Sequence, residues 1–279
     1  MRVAAVHPDG SIGHRLTRPT PRAPDPSALT ALAREVLEDV EVGGGVVGVP
    51  GRVDYAEGRV EFAPNLPRSW VDDLTAVAME KALEVPVSLA NDADLAAVGE
   101  AYAGAAQDRR DVAYVTISTG VGAGVLLDRR LVHGRRSIAE LGHTTIAYQA
   151  PRGTVEDRGS GTALNELATE IGLTARGPEL DRLVEQGDDQ AREIWDRVIA
   201  AAGVGVANLA HLFSPEIVVI GGGLGRSSAT VLEAVRSSLT RLGPRDLPEP
   251  IEVVPAQLGD DSGLVGAAFW REAAPGAWN

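Results

Sequence analysis

Four short stretches of this chain carry residues that could do chemistry. The first is VTISTGVGAG, residues 115–124, where an apolar run meets hydroxyls and then glycines at 120, 122 and 124. Glycine lets backbone N–H groups approach an anion without Cβ obstruction, and Ser118 and Thr119 add hydroxyl donors. A tight hairpin between two strands reads equally well from the same residues. GxGxG is not a Walker A loop, because no GK[ST] follows, and it lacks the helix that a dinucleotide fingerprint requires. The second stretch is VVIGGGLG, residues 218–225. A buried strand ending in Gly221, Gly222 and Gly223 and opening toward a helix puts a ligand at the carboxyl end of a sheet, or else serves close helix–strand packing. Third comes Asn91-Asp92, at the end of an apolar strand, where Asp92 could act as a general base toward a hydroxyl; the alternative is an Asx cap on the next helix. Fourth, Glu140, His143 and Glu156 gather around AELGH, and charged acceptors suit the hydroxyls of a polyol. One histidine without cysteine argues against zinc, and a mixed-charge surface loop is the plainer alternative.

These groups need elements to hold them. Strands fit 2–6, 11–17, 45–51 and 86–92, with Asp9-Gly10 as a turn and a hairpin-like GRVEFAPN between the last two. Helices fit 27–40, 67–84 and the stretch from 93, where Leu95, Val98 and Tyr102 form an apolar stripe. The proline-rich linker PTPRAPDP leads into the first helix. The pattern then restarts with strands at 112–118, 122–127 and 130–133. Helices follow at 160–172, 178–187 and 190–213, the last with a stripe of Trp195, Val198, Ala202, Leu209 and Leu212. A strand at 216–223, a helix at 228–242, a strand at 251–255 and a helix at 263–273 close the chain. Strand-hairpin followed by alternating strand and helix, twice over, predicts two α/β domains.

Composition narrows the function. The 279 residues are 44% hydrophobic, enough for substantial cores, and include no cysteine, which excludes disulfides, thiol nucleophiles and thiolate metal sites. The net charge of −13 repels nucleic acid and anionic membranes. No run of 18 apolar residues occurs, and MRVAAVHPDG lacks the basic start of a signal peptide. A cytoplasmic protein without nucleic-acid or membrane partners is expected.

In order along the chain, VGVPGRVD, APNLP, NDADLAAVGE, YVTISTGVGAGVLLDRRLVHG, AELGH, VEDRGSGTAL, PEIVVIGGGL and GDDSGLVGAA resemble the ROK sugar kinases. That family has the two-lobed actin-like ATPase (ribonuclease H-like) fold. The resemblance implies an N-terminal lobe over 1–108, completed by the helix at 263–273, and a C-terminal lobe over 109–262. It implies that Asp92 takes a proton from a sugar hydroxyl, that Gly51, Asn65 and Asn91 touch the sugar, and that Glu140, His143 and Glu156 form the far wall of its pocket. Thr119, Gly120, Gly122 and Gly124 would form the second phosphate loop, and Gly221, Gly222 and Gly223 the adenosine site. ATP is then the donor, with Mg²⁺ arriving on the nucleotide, and a homodimer is a family-level expectation.

The chain also departs from the family. Many members carry a cysteine-rich zinc loop after the GH pair; here HTTIAYQAPRGTVED is shorter and has none, so no structural zinc is expected and His143 needs another orienting partner. The family opens with a strand and a D-x-G-G-T phosphate loop, whereas MRVAAVHPDG matches the segment just after that loop. An open slot between the strands at 2–6 and 45–50 is therefore expected. Two readings stand side by side: a hexose kinase, glucokinase-like, whose gene starts further upstream, or a non-catalytic sugar-binding or regulatory member without a DNA-binding domain.

Overall fold

The computed structural model describes residues 1–21, 26–38, 40–138, 140–227 and 229–277. Residues 22–25 of the proline-rich linker, Asp39 near the end of the first expected helix and Ala139 of AELGH lie outside the described residues. The chain opens with β1 (Arg2–Val6) and β2 (Ile12–Thr17), an antiparallel pair that turns through Gly10 at φ +84. The Asp9 carboxylate fixes that turn by accepting from the Ser11 N–H and hydroxyl. Helix α1 (Ser27–Leu37) follows, burying Leu32, Ala33 and Val36. Next come β3 (Gly45–Val49) and a hairpin of β4 (Arg52–Asp54) and β5 (Arg59–Phe62).

The helix expected over 67–84 is two helices, α2 (Arg68–Asp73) and α3 (Ala76–Leu83). Thr75 breaks it. Its hydroxyl accepts from Ala78 N at 3.1 Å as an N-cap, and Ala76 N donates to Gly58 O at 2.7 Å. Strand β6 (Val87–Asn91) then runs parallel to β3, with Val49 opposite Asn91. The β1–β2 and β3–β6 ladders are separate. Among the described residues, the ladders of β1 and of β3 each hold two strands.

Helix α4 (Asp92–Ala103) departs from the stripe expected of it, because every residue from Ala93 to Ala101 is buried. One side lies on a five-stranded sheet of order β11-β10-β7-β8-β9, formed by β7 (Val112–Ile117), β8 (Val121–Leu127), β9 (Arg130–Leu131), β10 (Ile217–Gly221) and β11 (Glu252–Pro255). Another side lies on α11 (Ser262–Ala273). The α4–α11 contact is backbone to backbone: a Cβ on Gly99 would stand 2.1 Å from Ser262 O, and one on Gly266 would stand 1.9 Å from Leu95 O. The carboxylate of Glu100, 0% exposed, ties this pair to the segment after β11. It accepts from Ala105 N, Gln257 N, Leu258 N and the Ser262 hydroxyl, all between 2.8 and 3.0 Å.

The sheet alternates its side chains between two cores. Val112, Tyr114 and Leu126 join Ala97, Val98, Ala101 and Trp270 on the α4 side. Ala113, Val115, Ile117, Val218 and Ile220 face the helices of the second half. Those helices are α5 (Val155–Gly159), α6 (Gly161–Glu170), α7 (Pro178–Glu185), α8 (Asp189–Phe213), α9 (Gly223–Ser227) and α10 (Ala229–Leu242). The long α8 packs Trp195, Val198, Ala202 and Leu209 as expected, but Leu212 is exposed. Among the described residues, no helix is long and apolar enough to cross a membrane.

Candidate active site

The expected site residues cluster where β6, β7 and β10 end. Asn91 closes β6 and caps α4: its Oδ1 accepts from Ala93 N at 2.9 Å and Asp94 N at 3.1 Å. Its Nδ2 donates to Gly51 O at 2.8 Å, joining two of the expected sugar contacts. The cap predicted as an alternative for Asn91-Asp92 is therefore real, and it falls on Asn91. Asp92, the first residue of α4, is exposed, and its Oδ1 also accepts from Ala93 N at 2.9 Å. Gly51 lies flat on β5, since a Cβ there would be 2.1 Å from Phe62 O. Asn65 is exposed in the turn just beyond, where Leu66 N donates to Ala63 O.

Asp92 is exposed, yet protein surrounds its carboxylate closely enough to desolvate it. That surrounding protein pushes its carboxyl up to about 6, Glu140 adds to the push, and bonds from backbone N–H groups at 92 and 93 oppose it. Glu140 stands between Arg52 and His143. Arg52 Nε is 3.8 Å from its Oε1, and His143 Nε2 is 3.7 Å from its Oε2. The Glu140 carboxylate is thus close to His143, at a separation longer than a hydrogen bond. It sits at the end of a short 3-10 turn, Leu141–His143.

Glu156 was expected near a loop; it lies instead in the first turn of α5, opened by a capping box between Thr154 and Asp157. Its Oε2 accepts from Val121 N at 2.9 Å, and a Cβ on Gly120 would be 2.3 Å from that oxygen. A Cβ on Gly142 would in turn be 3.3 Å from Glu156 Cβ and 2.1 Å from Val121 O. The β7–β8 turn, the turn at 141–143 and Glu156 are one knot.

The glycines at 120, 122 and 124 divide. Gly120 stands in the turn, where Ser118 N donates to Gly120 O and Thr119 O accepts from Thr162 N and Oγ1. Gly122 and Gly124 lie inside β8, opposite Thr116 and Tyr114, and face α4. A Cβ on Gly124 would be 2.7 Å from Ala97 Cβ and 2.8 Å from Ala93 O; one on Gly122 would be 3.4 Å from Ala93 Cβ. Their spacing serves helix-on-sheet contact, and only Gly120 offers its backbone at the turn. On the neighbouring parallel strand, Gly221 pairs with Thr116. Gly222 takes φ +83 with Ile117 O 2.4 Å from where its Cβ would be, and the nearest atom to a Cβ on Gly223 is Ser118 Oγ at 3.7 Å. The two glycine stretches are therefore side by side at the ends of adjacent parallel strands, where α/β sheets hold ligands.

Sequence reasoning passed over Arg52, Tyr55 and Asp94. Arg52 follows Gly51 directly, and Asp94 ends the NDAD run, where an acid in the first turn of a helix reads as ordinary dipole complement. The Tyr55 hydroxyl donates to Asp94 Oδ2 at 2.6 Å.

This fold and this clustering define an α/β protein with polar side chains and glycines gathered at strand ends. A family model described as the ROK family matches residues 1–274, and the chain belongs to that family. It is 32% identical to a glucokinase of Thermotoga maritima over 95% of this chain and 92% of that one. Among solved structures it resembles a ROK hexokinase from Thermus thermophilus, at TM-score 0.81 and 31% identity, covering 96% and 93% of the two chains. It also resembles a ROK glucokinase from Streptomyces griseus in complex with glucose and AMPPNP, at TM-score 0.79 and 30% identity, covering 95% and 93%. The actin-like fold expected from the sequence is the fold of these relatives.

Proposed function

We propose that this chain transfers the terminal phosphoryl group of ATP to a hydroxyl of a hexose, as a glucokinase-like sugar kinase, across a cleft between a lobe of residues 1–108 with 263–273 and a lobe of residues 109–262. The observation that carries the reading is Asp92: a solvent-open carboxylate at a strand end, raised to about 6, facing Glu140 and next to the strand that leaves the Gly120 turn. A base near that value is largely ionised at neutral pH and still able to accept a proton.

In this mechanism the sugar lies over Asn91 and Gly51, with Asn65 at the edge. Glu140, His143 and Glu156 hold its other hydroxyls, the carboxylates as acceptors and the imidazole as donor or acceptor. Asp92 takes the proton of the attacking hydroxyl as its oxygen bonds to phosphorus and the bond to the departing ADP oxygen breaks. Thr119 and the Gly120 turn lie along the phosphates, and Gly221, Gly222 and Gly223 leave room for the nucleoside. The donor is ATP carrying its own magnesium. The magnesium in that substrate draws charge from the phosphates, and the protein's part is positioning.

The test is coupled ADP release with glucose and N-acetylmannosamine, beside Asp92→Asn. Turnover lost by about a thousandfold or more in the variant, with sugar binding retained by calorimetry, supports the reading. A wild-type chain that binds sugar but turns over no hexose or amino sugar overturns it.

A further inference from the structure

Two residues beyond Asp92 lies a carboxyl with no cation to answer it. Asp94 is 1% exposed on the first turn of α4; its Oδ2 accepts the Tyr55 hydroxyl, and its Oδ1 has no hydrogen-bond partner. Asp54 supplies the contrast. It is 0% exposed, but it accepts from Arg135 Nε at 2.8 Å and from the N–H groups of Ala56 and Glu57. Burial pushes the Asp54 carboxyl up, and these partners more than reverse the push.

The groups facing Asp94 have the wrong sign for a charge. Asp92 lies on its own helix, Glu140 adds a second negative charge nearby, and the hairpin brings Tyr55. Strands β3, β6 and β8 carry no titratable side chain, and β7 brings only Tyr114. Helix α11 has Arg271 and Glu272 at its far end, where Glu272 acts on Tyr102. An ionised carboxylate in such surroundings is uncompensated, so the proton is held well above the usual carboxylate range. Burial raises it to about 7, with Tyr55 opposing and Glu140 and Asp92 adding.

Tyr55 links this acid to the base. Its hydroxyl accepts from Asn91 N at 3.2 Å, and its ring meets His133 edge-on at 5.4 Å and Trp270 at 5.8 Å. Asp94 N donates to Asn91 Oδ1. Asn91 is therefore gripped through both backbone and side chain, and Asp92 follows it directly.

We propose that Asp94 is a positioning residue that works as a neutral acid: through the Tyr55 hydroxyl it fixes the Asn91–Asp92 turn beneath the acceptor without setting a second negative charge beside the base. The inference rests on the hexose-kinase reading of Asp92.

Asp94→Asn keeps both shape and neutrality. It should hold kcat within about threefold of wild type and leave the acid limb of the pH profile in place, because the native group is already protonated there. Asp94→Ala and Tyr55→Phe remove the support. They should lower kcat by about 10- to 100-fold with the sugar KM within about threefold, as a misplaced base does. If Asp94→Ala fails to fold, Tyr55→Phe carries that arm. A second arm needs no turnover: urea unfolding of wild type and Asp94→Asn at about pH 5 and about pH 8. A carboxyl raised in the folded state stabilises below its ordinary range and loses that contribution as pH rises through about 7, so wild type should weaken relative to Asp94→Asn over this interval. The proposal is overturned if Asp94→Asn loses kcat as deeply as Asp94→Ala, if the support variants keep wild-type kcat, or if the stability difference is flat with pH. A wild-type chain without turnover removes the kinase reading and the positioning role with it, while the unfolding arm still reports the proton on Asp94.

Discussion

Glu100→Gln is expected to destabilise the protein by about 2–4 kcal/mol, and the size comes from four bonds. Oε2 of Glu100 accepts from Ala105 N and Gln257 N; Oε1 accepts from Leu258 N and the Ser262 hydroxyl. A glutamine amide keeps one acceptor oxygen and turns the other position into a donor. In its better orientation the NH₂ points at Ser262, which can turn to accept it, and the Leu258 N–H is left facing another donor. One stranded donor costs roughly 1–3 kcal/mol. The surviving pair also loses its charge assistance, on the order of 1 kcal/mol more. There is no slack to rearrange, because a Cβ on Gly104 would already be 2.2 Å from Oε2. Urea denaturation measures the loss directly, and the melting temperature should fall by about 2–4 °C for each kcal/mol. A variant within about 0.5 kcal/mol of wild type, the range of ordinary surface substitutions, would refute the reasoning. It would mean that the segment joining β11 to α11 is not held by this carboxylate.

The remaining predictions concern the site and its supports. Turnover should fall as pH drops through about 6, with the slope of one proton, because a base raised to that value is active above it and lost below it; a limb near pH 4 in kcat would show an unperturbed carboxylate. Gly124→Ala should cost about 1–3 kcal/mol by overpacking, since the new Cβ meets Ala97 Cβ at 2.7 Å and Ala93 O at 2.8 Å; unchanged urea midpoints would contradict it. Thr75→Ala should cost about 1 kcal/mol through loss of the α3 cap, read by thermal melting.

Much of this molecule was legible from local pattern. The strands at 2–6, 87–91, 112–117 and 217–221 announce themselves by short apolar runs bounded by turn residues. Asn91-Asp92 was also legible, because a polar pair at the end of such a strand has few places to go. Contacts between distant segments were not. Thr75 breaks a run that is periodic in sequence, because Gly58 O, from another element, takes the Ala76 N–H. The stripe on α4 misleads because a helix covered from several sides has no solvent face, and alanines carry that information weakly. Glu156 reads with Glu140 and His143 as one acceptor group, with a mixed-charge loop as the alternative, and only folding brings it to Val121 N. The glycines of VTISTGVGAG were the hardest to apportion. Spacing alone does not separate a residue that makes room for a ligand from one that makes room for a helix, and here the stretch contains both.

That apportionment bears on how such a site can diverge. Between the start of α4 and β8 there is no cushion of side chains; alanine and main-chain atoms of the helix rest on bare strand. The separation of Asp92 from the Gly120 turn is thus set by main chain, which exchanging ordinary residues alters little. Drift and selection are left to work on the periphery, at positions such as Arg52, Asn65 and His143. On the hexose-kinase reading proposed above, a lineage could trade one acceptor molecule for another there while inheriting the central spacing unchanged.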